Sequence, residues 1–244
     1  MSERRLFVPG ERLAGARLTL TGPEHRHIGL VLRARPGDAL TLFDGAGGEV
    51  EAEVIRVERT ETELALGARR TVAGPAVALT LLCAVPRGPR MDLLVQKTSE
   101  LGIARIIPVI TERSVARPEA EAGKRARWEK IAREAARQCG RADLPIVDPP
   151  VGLAEALAAP ALPARRLALF EGERSRSLRA ALAGTEPAPT ALLIGPEGGF
   201  APAELGIARG AGFEAVGLGQ RILRVETAAI VALALVAAAY GMLD

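Results

Sequence analysis

The hydrophobic pattern of the first 72 residues predicts a small β-rich region. Polar and apolar residues alternate with a period of two over 49–54 and again over 63–67, the spacing of strands with one buried face. A turn at 36–38 and a glycine-rich loop at 44–48 punctuate this region, and the loop is best explained as a hairpin connection because no helix follows it to support phosphate binding. We therefore predict a half-buried antiparallel sheet with one short helix beginning after Thr21.

The pattern changes near residues 71–76, where apolar strands begin to alternate with helices. The predicted strands are 77–85, 105–110, 167–170, 191–194 and 215–218, and the predicted helices are 92–101, 124–139, 153–158, 178–183, 202–211 and 227–240. Continuous apolar strands separated by helices are typical of a parallel sheet covered on both faces. Such sheets bind ligands at the carboxyl ends of their strands. The sequence thus predicts an α/β protein with two domains, 1–72 and 73–244.

Composition excludes several classes of protein. Of the 244 residues 48% are hydrophobic and 25% are charged, which is typical of a folded domain and excludes intrinsic disorder. The longest apolar run, 228–240, is shorter than the roughly 20 residues that span a bilayer, and the N-terminus lacks the apolar segment of a signal peptide. Two cysteines and two histidines are too few for a disulfide framework or a structural metal site. We expect a cytoplasmic protein with no membrane or metal partner.

Positive charge is concentrated in two segments, 1–40 and 85–145, although the formal net charge is only +3. All but three of the 32 basic residues are arginine, which favours planar two-point contacts to phosphate. Arg133, Arg137 and Arg141 recur at every fourth position of the predicted helix and just beyond it. A row of this kind is also typical of a solvated helix face, and genome composition can enrich arginine, so both interpretations stay open.

A glycine-rich turn follows the predicted strand 191–194 and precedes a helix. Gly195, Gly198 and Gly199 bracket Glu197, and such glycines let backbone N–H groups approach a ligand closely. The turn lacks the GK[ST] of a phosphate-binding P-loop, and Glu197 would repel a triphosphate. A ligand that carries positive charge therefore fits better than ATP, and a tight strand-to-helix turn is the structural alternative.

A second irregular segment, 218–228, follows the last predicted strand and leads into an almost wholly apolar helix. Such a helix is buried, so the segment would be anchored on a rigid element. Arg221 and Arg224 lie three residues apart in it, and Glu226 and Thr227 stand at the expected helix start. Thr227 as an N-cap and Glu226 as a partner of the helix dipole would explain both residues without a ligand, and these roles are compatible with ligand binding.

Taken together, the sequence motifs resemble those of a known enzyme family. The motifs are KTSELG at 97–102, RQCGR at 137–141, IGPEGGF at 194–200 and LGQRILRVETA at 218–228, preceded by RLFVP near the N-terminus and HIGLVLRARPGD at 27–38. In order and spacing they resemble the bacterial 16S ribosomal RNA (uracil-N3)-methyltransferases of the SPOUT superfamily. The resemblance covers nearly the whole chain. One departure is Cys139, where the family favours serine.

The resemblance implies a PUA-like β-barrel domain followed by an α/β domain whose parallel sheet carries a trefoil knot. It also implies S-adenosylmethionine as methyl donor, a homodimer, and 16S ribosomal RNA as the partner, for which we expect the assembled small subunit, although the sequence leaves open whether the substrate is that subunit or free RNA. The implied donor-binding residues are Ile194, Gly195, Pro196, Glu197, Gly198, Gly199, Leu218, Gly219, Ile222, Leu223, Arg224 and Thr227. The RNA-binding residues that we expect are Arg4, Arg26, His27, Arg33, Arg137 and Arg141.

Methylation at N3 of uracil sets its own chemical requirements. N3 carries a proton and is hidden by base pairing, so the enzyme must present the base unpaired and favour loss of that proton. We expect Arg224 or Arg141 to stabilise the negative charge that develops on the uracil carbonyl oxygens, with Glu197 as a further catalytic candidate, and Arg141 acting within its own chain or across the dimer. The alternatives are a non-catalytic RNA-binding assembly factor, methylation of another RNA base, and a different nucleotide-using enzyme.

Overall fold

A computed structural model describes residues 4–114 and 123–243, whose contacts divide them into two compact units. The first unit comprises the residues up to Gly74 together with Arg133–Leu144, and the second comprises Pro75–Ala132 and the chain from Pro145 onward. The linear division at 72/73 assigns 133–144 to the second domain, whereas the contacts include this segment in the first unit.

The first unit is built on a curled five-stranded sheet with the order β1-β3-β4-β5-β2. Its strands are β1 Arg5–Phe7, β2 Arg17–Thr21, β3 Ala39–Phe43, β4 Gly48–Val57 and β5 Glu61–Thr71. The predicted antiparallel pairing is confirmed for β2–β5, β3–β4 and β4–β5, but β1 pairs with β3 in parallel, so the sheet is mixed. A strand of three residues carries too little periodicity to reveal its direction of pairing.

The period-two pattern of the first unit places its apolar residues in one core. Val50, Ala52 and Val54 of β4 are buried in a cluster with Leu64 of the adjacent β5 and Leu20 of β2. The predicted hairpin loop joins β3 to β4, and the Asp44 carboxylate accepts hydrogen bonds from the backbone N–H groups of Ala46 (2.7 Å) and Gly48 (2.8 Å). A side chain that accepts from the backbone of its own loop is what fixes such a turn.

The predicted short helix is present but changes its pitch. It begins as α1 Gly22–Arg26 and continues as a π-helical turn, His27–Val31. Ile28 on this turn is fully buried in the core of the first unit. A single-turn 3-10 helix, Gly10–Leu13, precedes β2.

The segment 133–144 completes the first unit at the β3–β4 hairpin. Ala136 and Ala142 pack against Phe43 in a small apolar cluster, and Leu144 N–H donates to the carbonyl of Gly45 (2.9 Å). Gly45 has a positive φ of 77°, and a Cβ there would lie 2.8 Å from a methyl group of Leu144. Glycine is therefore required at the hairpin tip both for its backbone conformation and for this close approach.

The second unit is an α/β layer structure around a parallel sheet with the order β12-β10-β11-β6-β7-β8, in which β9 also pairs with β7. Its strands are β6 Leu79–Ala84, β7 Arg105–Ile110, β8 Ile146–Val147, β9 Val151–Gly152, β10 Arg165–Leu169, β11 Thr190–Ile194 and β12 Glu214–Val216. The remaining helices are α2 Arg90–Glu100, α3 Arg125–Cys139, α4 Leu153–Leu157, α5 Leu178–Leu182, α6 Pro202–Gly210 and α7 Val225–Ala239. The second half of α3 belongs to the first unit.

Helices cover both faces of this sheet, as predicted. Leu81 and Cys83 of β6 join one apolar cluster with α2, α7 and Trp128 of α3, while Leu82 between them joins a second cluster with α4 and α6. Alternate residues of a strand point to opposite faces, so one strand supplies both cores. The predicted α/β fold class, a parallel sheet with helices on both faces preceded by a small β-rich unit, is confirmed.

Helix α7 is almost wholly apolar and lies largely in the first of these clusters. Within the described residues, no helix is long and apolar enough to cross a membrane. The same residues include no group of three His, Cys, Asp or Glu side chains placed to hold a metal ion.

Candidate functional site

A cavity opens at the carboxyl ends of the adjacent strands β12, β10 and β11. It contains about 630 Å³ of atom-free space, part of which is open to solvent. The lining residues come from the last residues of β10 and β11, the loops after β10, β11 and β12, and the first turns of α7. They are Leu169, Phe170, Glu171, Ile194, Gly195, Pro196, Glu197, Gly199, Phe200, Leu218, Gly219, Arg221, Ile222, Leu223, Val225 and Ala228. The position agrees with the rule that parallel sheets bind ligands at this edge.

In the glycine-rich turn after β11, the structure requires glycine at both glycine positions that line the cavity, Gly195 and Gly199. A Cβ at Gly195 would lie 2.9 Å from the ring of Phe200, which is itself buried. Gly199 has a positive φ of 68°, and its Cβ position is 2.7 Å from the Glu171 carboxylate. Gly198 does not line the cavity, and its carbonyl accepts a hydrogen bond from Arg113 (2.9 Å).

Glu204, a residue that sequence reasoning did not single out, holds this turn in place. Its carboxylate is buried at the start of α6 and accepts from the N–H of Ala201 (2.9 Å) at the end of the turn. The other oxygen accepts from the N–H of Glu112 (2.8 Å), which follows β7. One side chain therefore joins the glycine-rich turn to the loop of a second strand, and both carboxylate oxygens are satisfied.

The third loop, between β12 and α7, brings an exposed arginine to the cavity. Gly219 adopts a φ of 100°, which only glycine adopts without strain, and Arg221 lines the cavity two residues later. Helix α7 begins at Val225 with Arg224 in the N-cap position, so the expectation that Thr227 caps the helix was wrong. The backbone turns into the helix before the threonine, and Thr227 lies in the first turn with an exposed side chain.

One arginine beside the cavity forms ion pairs with two glutamates. The Arg90 guanidinium lies 3.0 Å from an oxygen of Glu197 and 3.8 Å from an oxygen of Glu226. The Glu226 side chain is only 9% exposed, and its second oxygen, Oε2, has no hydrogen-bond partner among the described residues. Burial, together with the charges of these two glutamates, raises the pKa of the Cys83 thiol well above its usual range. Arg90 therefore compensates two carboxylates, one on the glycine-rich turn and one in the first turn of α7.

Most of the predicted donor-binding residues lie in the cavity wall. Those that line it are Ile194, Gly195, Pro196, Glu197, Gly199, Leu218, Gly219, Ile222 and Leu223, and those that do not are Gly198, Arg224 and Thr227. The cavity wall also contains residues outside the predicted donor-binding set: Leu169, Phe170 and Glu171 at the end of β10 and after it, and Phe200, Arg221, Val225 and Ala228 within or beside the two recognised segments. The strand at 167–170 was predicted from the sequence, but its position between β11 and β12 was not. That position is what brings Phe170 and Glu171 into the cavity wall.

The charged groups at this edge of the sheet, of which Glu171, Glu197 and Arg221 line the cavity and Arg224 does not, differ in whether they form an ion pair. Glu197 is paired with Arg90, whereas Glu171 forms no ion pair with any described residue. Arg221 and Arg224 are exposed and are also without an ion pair in the described part of the chain. Two guanidinium groups and one carboxylate are thus available to a ligand at this edge of the sheet.

The six predicted RNA-binding residues all lie in the first unit, including the two from the segment 133–144. Arg26 and Arg33 are exposed, while Arg4 forms an ion pair with Asp38 (2.5 Å) and Arg137 pairs with Glu134 (2.9 Å). The pKa of the Asp38 carboxyl is lowered by the backbone N–H of Arg35 and then by Arg4.

His27 Nε2 and the Arg141 guanidinium are both largely shielded from solvent within the first unit, which the sequence did not indicate. His27 Nε2 is buried without a hydrogen-bond partner among the described residues, and its pKa is lowered by desolvation and by the nearby charge of Arg137. The Arg141 guanidinium is nearly buried and forms two hydrogen bonds to the Asp143 carboxylate, the shorter of them 2.6 Å. Arg141 is not among the residues that line the cavity.

Comparison with known proteins gives a consistent picture for both units. Residues 74–237 match a family model described as an RNA methyltransferase domain, and residues 20–64 match an RNA methyltransferase PUA domain. The chain is 35% identical over 233 residues to ribosomal RNA small subunit methyltransferase E of a Synechocystis species, covering 94% of this chain and 76% of that protein.

Two solved structures resemble the whole chain. A Legionella pneumophila methyltransferase with bound S-adenosylmethionine has 36% identity and a TM-score of 0.87, with 97% of this chain and 98% of that chain covered. Ribosomal RNA small subunit methyltransferase E of Neisseria gonorrhoeae, also bound to S-adenosylmethionine, has 34% identity and a TM-score of 0.85, with 97% of each chain covered. Together with the family models, these similarities are strong enough to assign a family.

Proposed function

This chain belongs to the RNA methyltransferase family, and we propose that it methylates N3 of a uracil in the 16S ribosomal RNA of the small subunit. The observation that carries the proposal is the cavity at the carboxyl edge of the sheet, walled by the two segments whose sequences, 194–200 and 218–228, carry the family resemblance. The two similar structures with bound S-adenosylmethionine support this compound as the methyl donor.

The cavity fits such a donor in its chemistry. Its wall combines apolar side chains, such as Leu218 and Ile222, with the carboxylates of Glu171 and Glu197. Apolar walls suit a purine ring, and carboxylates favour a ligand that carries a positive charge. When bound, S-adenosylmethionine supplies an electrophilic methyl group attached to a cationic sulfur. The absence of a GK[ST] sequence from the glycine-rich turn agrees with a ligand that has no triphosphate.

The arginines of the third loop suit the chemistry of the acceptor base. Loss of the N3 proton leaves negative charge on the two carbonyl oxygens of uracil, and cationic donors placed there stabilise the transition state. Arg224 and Arg141 are the residues expected from the sequence, and Arg221, which lines the cavity, is a further candidate that the structure adds. Glu197 is committed to Arg90, which supports a role in holding the glycine-rich turn more than a role in proton transfer.

The predicted homodimer forms part of the same proposal. Helix α7 leaves Val231 and Leu235, which lie on one face four residues apart, partly exposed beside small alanine side chains. An apolar face of this kind supports contact with a second copy. We further propose that the enzyme acts in the cytoplasm on the assembled subunit, where its RNA would be found.

Methyl transfer from an isotopically labelled donor tests the proposal directly. Unmodified small subunits and free 16S ribosomal RNA are each incubated with the protein, and the labelled base is located by mass spectrometry. We expect label on one uracil, in the subunit more than in free RNA, and loss of donor binding by calorimetry in a Glu171→Gln variant, with Glu58→Gln as an exposed control outside the cavity.

Each failure has a distinct meaning. Donor binding without transfer to either substrate would favour a non-catalytic assembly factor. Label on another base would refute the uracil assignment alone. Failure to bind the donor would overturn the proposal as a whole.

A further inference from the structure

Two adjacent apolar side chains project from the first unit into solvent. Leu30 is 73% exposed and Val31 is 65% exposed, and both lie on the π-helical turn His27–Val31. The apolar neighbours Ile28 and Ala34 are buried and satisfy the core of the unit. The exposed pair is therefore not needed for packing, and π-helical turns are frequent at functional sites.

The turn that carries this pair is held in one conformation. Leu32 N–H donates to the carbonyl of His27 (3.0 Å), and Ala34 N–H donates to the carbonyl of Ile28 (3.1 Å). Arg33 between them adopts a φ of 50°, in the left-handed region that non-glycine residues rarely occupy. Such strain persists where the surroundings impose it, and it is concentrated at functional positions. A rigid turn presents Leu30 and Val31 without the entropy cost of ordering them on binding.

Two exposed arginines flank the pair in the sequence. Arg26 and Arg33 are exposed and form no ion pair with any described residue. The acidic residues of the same stretch are already engaged, since Glu24 lies 3.7 Å from Arg12 and Asp38 lies 2.5 Å from Arg4. The surface formed by Arg26, Leu30, Val31 and Arg33, which we term the Leu30 surface, combines free cations with a protruding apolar tip.

RNA with an unstacked base is the partner that matches both features. Arginine binds phosphate oxygens, and aliphatic side chains can act as wedges that enter between bases and separate them. We propose that Leu30 and Val31 insert against a nucleobase of the RNA substrate while Arg26 and Arg33 bind the flanking phosphates. This inference rests on the proposed function, which requires a duplex region to be opened before N3 can be reached.

Fluorescence of 2-aminopurine tests the wedge, because its emission rises when it is unstacked. The probe is placed at successive positions of a 16S ribosomal RNA fragment, and binding of the wild-type protein is expected to raise the emission at one of these positions. The Leu30→Ser/Val31→Ser double variant should bind about ten-fold more weakly or worse, with no such rise and an unchanged dependence on salt. Since both side chains are exposed, its melting temperature should not change, and Ile55→Ser, an exposed isoleucine on β4, is the matched control.

Substitution of the arginines, in contrast to that of the apolar pair, should change how strongly RNA affinity depends on salt. Arg33→Gly removes the guanidinium while suiting the left-handed backbone, and the slope of log affinity against log salt should fall by about one. Arg33→Lys should retain most of the slope. The electrostatic and apolar parts of the surface are thereby separated in one titration series.

Three results would overturn the inference. If the wild-type protein binds RNA and the double variant binds it equally well with the same emission, the apolar pair is not a contact. If the double variant binds free RNA normally but the assembled subunit poorly, the occupant is a ribosomal protein. If the wild-type protein binds the donor but no RNA, the proposed function fails and the wedge fails with it.

Discussion

Removing the Arg90 guanidinium should destabilise the fold, because the buried Glu226 carboxylate then loses its ion-pair partner. Arg90 lies 3.8 Å from Glu226, whose side chain is 9% exposed. Coulomb's law with an effective dielectric constant of about 20 gives about 4 kcal/mol at this separation. Because the Arg90 side chain is 35% exposed, solvent screening reduces this to about 2 kcal/mol. We therefore expect Arg90→Ala to lower the free energy of unfolding by about 2 kcal/mol.

The partner variants distinguish Glu226 from Glu197. Glu226→Gln removes the buried charge, so it should recover most of the loss when combined with Arg90→Ala. Glu197→Gln should recover little, since Glu197 is itself 35% exposed and exposed ion pairs contribute about 0–1 kcal/mol. Trp128, the single tryptophan, is buried in the same apolar cluster as Val225, so its fluorescence during urea unfolding reports on the second unit.

The double-mutant cycle also tests whether Arg90 and Glu226 interact energetically. Equal losses from Arg90→Ala in the wild-type and Glu226→Gln backgrounds would mean that the two groups do not interact energetically. Arg90→Lys keeps the charge and should lose much less stability than Arg90→Ala. If the lysine variant is as unstable as the alanine variant, the guanidinium acts through packing and not through charge.

Three further predictions concern packing, titration and thiol reactivity. Gly195→Ala should cost about 1–3 kcal/mol in urea unfolding because its methyl group meets the buried Phe200 ring, whereas Gly198→Ala, with ordinary contacts, should cost less than about 0.5 kcal/mol; equal costs would contradict this account. The lowered pKa of His27 means that the folded state binds its proton less readily than the unfolded state, so stability should be lost as pH falls from 6.5 through the folded pKa, and His27→Gln should remove that component of a pH titration. A thiol reagent should label only the exposed Cys139 in the folded protein and both cysteines in urea, and two labels without denaturant would show that the other cysteine is accessible.

Periodicity predicted the helices and strands well where the pattern was long. The helix expected at 124–139 is Arg125–Cys139, and the apolar helix expected at 227–240 begins only two residues earlier. The error at the latter start has a local cause, because the chain turns helical at Val225 and leaves Thr227 inside the first turn. Side-chain preferences for the cap position were outweighed by the buried apolar contacts of Val225.

Strand order is the information that the sequence lacked. The glycine-rich turn and the segment 218–228 were recognised locally, and both line the cavity. Glu171 was missed because its role depends on β10 lying between β11 and β12, a long-range property that no local pattern encodes. The same reasoning applies to the segment 133–144, since an apolar helix stripe indicates burial without specifying the partner.

The composition of the first unit from two separate stretches of chain has a consequence for its biosynthesis. Phe43 and the Gly45 hairpin tip obtain their partners from Ala136, Ala142 and Leu144, which are translated about ninety residues later. A nascent chain that has emerged only as far as Gly74 therefore carries the whole five-stranded sheet with one end of its core uncovered. Final consolidation of this unit must wait until Leu144 has left the exit tunnel, and a fragment ending at residue 72 would retain that uncovered surface permanently.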